Sequence, residues 1–444
     1  LCFVATYQTR KETFMPWLRN IFLRAFVLGT LSLLCCFPSF GGQADGPQSL
    51  ASTDWPWWRG PNRNGIAAAD QKPPLTWSDT QNVVWRSLIP GKGHGSPIVV
   101  GDQVYLQTAE PDREVQSVVC LDRKTGVRLW QTDVHRGGFD TKGNEKTSLA
   151  NATPASNGLH LFVNFLNAGA VQTTALDRHG KQIWQKKISD FAIHQGFGSS
   201  PAISDSLVIV AADNHGTGAI AALDQATGDV VWKHSRPKIA NYTSPMILEI
   251  QGQRQVVLSG CKLVTSYEPL TGKLLWEIPG STEECVTSTV TDGQQIYITG
   301  GYPKNHVAAV KADGSGQVVW ENGSRVYVPS LLLFQGFLYA TLDSGVAVCW
   351  RCDTGEERWK NRLSGTFSSS PVLVGDCIIA TNEDGKSFVF KANPEAFELI
   401  AENQLGSHSY ATPSICGGCI YHRVAVQADG QRQEYLYCLG QKSE

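Results

Sequence analysis

The sequence predicts an all-β protein: an eight-bladed β-propeller of four-stranded antiparallel blades. Three observations carry this reading. A tryptophan recurs at Trp130, Trp184, Trp232, Trp276, Trp320 and Trp359. A polar turn precedes each of them: Asp122 to Gly126, Asp177 to Gly180, Asp224 to Gly228, Glu268 to Gly272, Asp313 to Gly316, and Asp353 to Gly355. A Ser/Thr-Pro step opens most copies, at Ser96-Pro97, Thr153-Pro154, Ser200-Pro201, Ser244-Pro245, Ser370-Pro371 and Thr412-Pro413, with Ser288-Thr289 and Pro329-Ser330 at the same place in two degenerate copies. A repeat of roughly 45 residues is the size of one propeller blade.

Each copy reads in the same order. The Ser/Thr-Pro step introduces a strand, and an apolar strand such as Val104-Tyr105-Leu106 follows. A third strand then ends in the turn, and the Trp lies on the fourth. In Ala222 to Trp232, Asp224 and Thr227 can bond back onto the turn backbone, and Gly228 takes the positive φ of a tight hairpin. A lone four-stranded sheet cannot bury both faces, whereas radial stacking buries them. Gly126, Gly228, Gly272 and Gly355, with the six tryptophans, are therefore expected to lock neighbouring blades rather than to form a site.

The ends give the blade count. A seventh copy runs from Ser368 to Ile400, with Leu399 or Ile400 where Trp would sit. An eighth starts at Tyr410, passes Tyr435 to Cys438 and stops before its Trp strand. Asn82 to Leu88 carries Trp85 with no turn ahead of it, so it is predicted to complete the last blade and close the ring. Closure removes the open sheet edges that invite aggregation. A seven-bladed ring with one degenerate blade is the alternative.

Composition narrows the function. A net charge of -2 gives no basic face for nucleic acid. Thirteen Trp and 43 Gly against two Met suit a turn-rich β-protein. Residues 1–44 read as an export segment, with Met15 as the expected start, Arg19 and Arg24 as the basic region and Ala25 to Phe37 as the apolar region. That run is short for a membrane span, so no stable span is expected in the mature chain. Leu34 before Cys35 is not the small residue that a lipoprotein signal requires. Residues 45–74 form a Trp-rich lead-in arm, 75–440 the propeller and 441–444 a tail. The protein is expected to be monomeric, and periplasmic or extracellular.

Trp232 and its flanks also carry a resemblance. Ala222, Gly228 and Trp232 are similar to positions one, seven and eleven of the tryptophan-docking repeat of quinoprotein-like propellers. Trp58-Arg59-Gly60-Pro61-Asn62 resembles the lead-in of secreted bacterial proteins with PQQ-like repeats. The resemblance implies one of two functions. One branch contains dehydrogenases that oxidise alcohols or sugars with PQQ and calcium. The other contains non-enzymatic scaffolds, such as the lipoprotein subunit of the outer-membrane barrel-assembly machinery. The dehydrogenase branch typically has a disulfide between adjacent cysteines, and the only adjacent pair here, Cys35-Cys36, falls in the export segment. Glu283-Glu284 and Asn151 are scattered candidates for its carboxylates and calcium ligands rather than a motif. The expected function is thus an exported, non-enzymatic protein-binding or assembly scaffold of the cell envelope with no cofactor, metal or catalytic residue. A PQQ- and calcium-dependent dehydrogenase is the alternative.

The candidate site follows from the blade order. If the Ser/Thr-Pro strand is innermost, the residue three before each Pro position faces one funnel: His94, Asn151, Gly198, Tyr242, Val286, Tyr327, Ser368 and Tyr410. His194, Asn241, Glu284, Arg325 and His408 adjoin it. Such a ring suits a polar ligand or an extended peptide. The polar, Gly-rich excursion from His135 to Lys146 is a second candidate contact. Cys349-x-x-Cys352 and Cys416-x-x-Cys419 have metal or redox spacing. However, Cys120, Cys349 and Cys438 occupy the slot held elsewhere by Ala175, Ala222 or Ala309, where a small buried residue is wanted. A local Cys416–Cys419 disulfide is compatible with export.

Overall fold

The computed structural model describes residues 50–140, 143–144, 146–428 and 430–441. The export segment, Thr141, Lys142 and Glu145 lie outside the described residues. Eight four-stranded antiparallel sheets form the blades of a closed propeller. Blade 1 is Ile98–Val100, Gln103–Glu110, Val115–Asp122 and Arg128–Arg136, and blades 2 to 7 repeat this order. Blade 8 takes Ser414–Cys416, Cys419–Ala428 and Gln431–Gly440 from the end of the chain and Val83–Ile89 from its beginning. Trp85 opposes Cys438 in that last pairing, so the early strand closes the ring. Among the described residues the only helical turn is the 3-10 turn Pro111–Arg113, and no helix is long and apolar enough to cross a membrane.

The repeat has a physical basis in three groups. Each fourth-strand Trp faces a small buried partner across the sheet: Trp130 opposes Cys120, Trp184 Ala175, Trp232 Ala222, Trp276 Ser266, Trp320 Ala309 and Trp359 Cys349. The small residue leaves room for the indole to lie flat and reach the next blade. There the turn glycine covers it. Gly272 adopts φ 70°, and a Cβ on it would stand 2.5 Å from Trp232. Only glycine satisfies both demands. Gly126, Gly180, Gly228 and Gly355 lie in the same way on Trp85, Trp130, Trp184 and Trp320. The indole N–H then donates to a carbonyl of that same turn, Trp184 to Gln225 at 3.0 Å and Trp232 to Pro269 at 2.8 Å. The turns hold themselves as the sequence suggests, with Asp224 Oδ1 accepting from the N–H groups of Ala226 and Thr227, both at 2.9 Å.

Two blades depart from the expectation. In blade 5 it is Gly314, not Gly316, that lies on Trp276, because the Asp313 turn has two glycines and is a residue longer: Lys311 N donates to Gln317 O there, where Asp224 N donates to Asp229 O in blade 3. Trp276 then donates to Gln255 Oε1 at 3.0 Å instead of to a turn carbonyl. In blade 7 the residue in register with the tryptophans is Ala401, opposite Val389, whereas Leu399 and Ile400 point outward at 44% and 39% exposure. Large and small residues have exchanged sides there. Trp77, from the segment before the closing strand, is buried in the same apolar cluster that Ala401 packs against. Its backbone N–H donates to Asn403 Oδ1 at 3.0 Å.

The Ser/Thr of the Ser/Thr-Pro step forms a belt around the axis. The N–H of Ser96 donates to Thr153 Oγ1, that of Thr153 to Ser200 Oγ, and that of Ser200 to Ser244 Oγ, at 2.9–3.0 Å. The series resumes from Ser288 to Ser330, Ser370 and Thr412 at the same distances. A hydroxyl is small enough for the crowded axis and accepts the N–H that an edge strand leaves open. At the interruption, Ser288 Oγ accepts instead from the indole of Trp58 at 2.8 Å.

Candidate functional site

The lead-in arm runs across one end of the axis. Trp55 pairs with Val99, Pro56 O accepts from Ser156 N, Arg63 donates to Ile203 O, Arg59 to Leu331 O, and Ile66 pairs with Leu373. It thereby touches the innermost strands or their entries in blades 1, 2, 3, 6 and 7. Arg59 is fully buried, and Gly65 packs on its guanidinium. Trp57 lies under Arg63, with the guanidinium carbon 4.1 Å from its ring centre.

The opposite end holds a cavity of about 370 Å³, with Trp58 among its lining residues. All eight ring positions line it: His94, Asn151, Gly198, Tyr242, Val286, Tyr327, Ser368 and Tyr410. The hydroxyl belt lies next to them, with Ser96, Thr153, Ser200, Ser244, Ser370 and Thr412 in the same lining. One register needs correction. The belt aligns Ser330 with Ser288 and Ser370, so the residue equivalent to Val286 and Ser368 is Val328. Tyr327 is one residue earlier and reaches the cavity beside it.

The ring residues differ in how far they are committed. Asn151 is a bracket: its Oδ1 accepts from Ser148 N, and its Nδ2 donates to Thr147 Oγ1 and Phe197 O. His94 stacks on Tyr410 with ring centres 4.3 Å apart. Burial, with Lys92, Arg423 and Arg432 nearby, holds its imidazole well below the ordinary histidine range, so it is neutral at pH 7. Its Nε2 is buried without a hydrogen-bond partner, as is Ser96 Oγ. Such atoms are rare in native structures and point to water or a bound group. Burial raises the phenols of Tyr242, Tyr327 and Tyr410. The tyrosines therefore serve as neutral hydrogen-bonding groups, not bases.

The adjoining residues divide similarly. Glu284 is 5% exposed and outside the cavity lining, but its Oε2 accepts from Tyr327 Oη at 3.1 Å. Asn241 is framework, donating to Asp213, Thr243 and Ser259 O. The Arg325 guanidinium carbon is 5.7 Å from the Tyr327 ring centre. His408 does not join the cavity; it bridges to Ala425 in blade 8, with Nδ1 3.0 Å from Ser407 Oγ. Of the excursion before blade 2, Asn144 and Lys146 reach the cavity, and Lys146 pairs with Glu383 at 2.8 Å. Trp58 lines the cavity with no signal in the ring pattern, and His215 meets His194 beside it with ring centres 5.2 Å apart. The nine cysteines among the described residues carry free thiols. Cys416 and Cys419 face each other across a hairpin without a bond.

Eight blades, seven of them with a docking tryptophan, around one open, aromatic funnel define a propeller of the quinoprotein-like class. The chain belongs to the PQQ_2 family, described as outer membrane protein assembly factor BamB, whose model matches residues 59–135, 114–303 and 303–393. It is similar to the outer membrane protein assembly factor BamB of Yersinia pestis, 23% identical over 347 residues, covering 71% of this chain and 81% of that one. The Burkholderia pseudomallei (strain K96243) protein of the same name is 26% identical over 370 residues, covering 78% and 86%. Among solved structures, a quinohemoprotein alcohol dehydrogenase from Comamonas testosteroni superposes with a TM-score of 0.63 at 15% identity, covering 88% of this chain and 81% of that one. That likeness speaks to the fold alone.

Proposed function

We propose that this chain is an exported propeller scaffold that binds extended protein segments at its funnel during assembly of the cell envelope. The observation that carries this is the chemistry of the cavity. It offers three neutral phenols, a neutral imidazole, an indole and a belt of hydroxyls. These are the amphipathic groups that receive polypeptide with little ordering cost. The family and the two assembly-factor relatives support the same reading.

PQQ and calcium, which the fold class implies, would need a particular set of donors in this cavity. Calcium takes about six to eight oxygens, carboxylates prominent among them. The described residues lining the cavity include no carboxylate, and Glu284 is engaged by Tyr327 and His194. The donor set does not fit, so no oxidation step is derived.

The test pairs two measurements. Purified protein mixed with PQQ and calcium is expected to take up no stoichiometric cofactor and to reduce no dye with an alcohol panel. Unfolded outer-membrane polypeptide is expected to bind the native protein and to bind at least about tenfold more weakly when Tyr242, Tyr327 and Tyr410 are all alanine, a loss of about 1.4 kcal/mol or more. Tight cofactor uptake with turnover contradicts the proposal, as does binding indifferent to the three tyrosines.

A further inference from the structure

We propose that His194, His215 and Glu284 form a binding site for one divalent transition-metal ion at the rim of the funnel. Their donor atoms lie within 4.8 Å of one another. His194 Nε2 stands 3.2 Å from Glu284 Oε1. Neighbouring donors in a tetrahedral zinc site, with bonds of about 2.0–2.2 Å, are roughly 3.3 Å apart. One edge of the tetrahedron is therefore in place, and His215 closes the other two by a modest side-chain rotation. The two imidazole rings already meet edge to face, with centres 5.2 Å apart.

The loops that carry the three residues are fixed to one another by buried groups. Asn214, fully buried beside His215, accepts from Ala192 N and Gly216 N through Oδ1 and donates to Asp190 O through Nδ2. This ties the His215 loop to the His194 loop. On the other side of His215, Asp213 accepts from Asn241 Nδ2 at 3.0 Å, and Asn241 Oδ1 accepts from Cys285 N at 3.0 Å. That ties the His215 loop to Glu284. Arg236 secures Asp213 in a buried ion pair at 3.0 Å. Glu284 itself is buried, and its Oε1 is the carboxylate oxygen that faces His194 Nε2. Tyr327 Oη donates to the second carboxylate oxygen, leaving the first directed at the histidines. Groups that orient a metal-binding carboxylate in this way tune affinity about 10–100-fold.

Two imidazoles and one carboxylate select zinc, copper or nickel over calcium or magnesium, which want oxygen alone. Three protein ligands leave a position for water or for a donor from a bound segment. Because Tyr327 lines the cavity, the ion would sit one hydrogen bond from it. His194 Nε2 also lies 3.4 Å from Gln195 Nε2, a contact that metal binding would displace.

The test uses untagged, metal-free protein titrated with Co²⁺ and then Zn²⁺. One Co²⁺ per chain should bind with visible absorption bands and without the near-ultraviolet charge-transfer band of thiolate ligands, and one Zn²⁺ should displace it. His194→Ala, His215→Ala and Glu284→Gln should each weaken binding at least about tenfold, and Tyr327→Phe should weaken it less. Both histidines are exposed, so their variants keep the parent melting temperature and report on binding alone. Absence of stoichiometric uptake overturns the site. So does uptake that His215→Ala leaves unchanged, or a thiolate band. None of these readouts depends on a protein partner, so the metal site and the scaffold reading stand or fall separately.

Discussion

Replacing Trp232 by alanine is expected to destabilise the protein by about 3–5 kcal/mol, the range for truncating a buried large aromatic. Trp232 is 7% exposed. It lies between blades 3 and 4, stacked on Tyr267 with ring centres 6.0 Å apart and covered by Gly272. Its loss opens a cavity at a blade interface and removes the hydrogen bond to Pro269 O. Gly272, held at positive φ, cannot move in to fill the space. Chemical denaturation followed by intrinsic fluorescence measures the change. Val231, one residue earlier and 52% exposed, is the control. Its alanine variant should stay within about 0.5 kcal/mol. A Trp232→Ala protein with unchanged stability would contradict the docking role.

The second large effect is expected at the seam where the ring closes. Arg423 and Glu434, on neighbouring strands of blade 8, form an ion pair at 2.6 Å with both side chains essentially buried. Arg423 also crosses to blade 1, donating to Gln107 O at 2.6 Å and to Thr108 Oγ1 at 3.3 Å. Gly93 N, beside His94 of the funnel, donates to Glu434 Oε2 at 3.2 Å. Arg423→Met should therefore cost about 3–5 kcal/mol, because it strands a buried carboxylate and orphans acceptors in blade 1. Arg432 sits on the other carboxylate oxygen at 2.5 Å, which places the effect in the lower part of that range. Replacing both partners, Arg423→Met with Glu434→Leu, should recover most of the loss, since apolar packing often matches a buried pair. Calorimetric melting of the three variants measures this. A double variant as unstable as the single one would refute the desolvation argument.

The blades were legible because their determinants are local. The small residue, the turn and the tryptophan fall within eleven or so positions, and their spacing sets which residue faces which across the hairpin. Closure was legible because Trp85 arrives without a turn and the last blade ends without a Trp strand. Errors came where the local pattern is doubled or degenerate. Two glycines in the Asp313 turn hid the role of Gly314, and Pro329-Ser330 shifted the ring register from Val328 to Tyr327. In blade 7 the exchange of large and small residues made Leu399 and Ile400 look like the docking position, because the compensating Trp77 comes from far away in sequence. The funnel ring could be read from blade order. The path of the arm, the presence of Trp58 in the cavity lining and the meeting of His215 with Glu284 could not. The first two depend on arm contacts scattered over several blades, and the last on Asn214, Asp213 and Asn241 linking loops, and no spacing rule encodes such links.

The central claim is that the funnel, not the outer blade faces, receives a protein segment. Site-specific photocrosslinking inside the cells that make the protein tests it most directly. A benzophenone side chain placed at Tyr410, in the cavity lining, should yield a discrete adduct with an envelope polypeptide. The same group at Val231, on the exposed outer strand of blade 3, should yield none. Adducts from Val231 with none from Tyr410 would contradict the account.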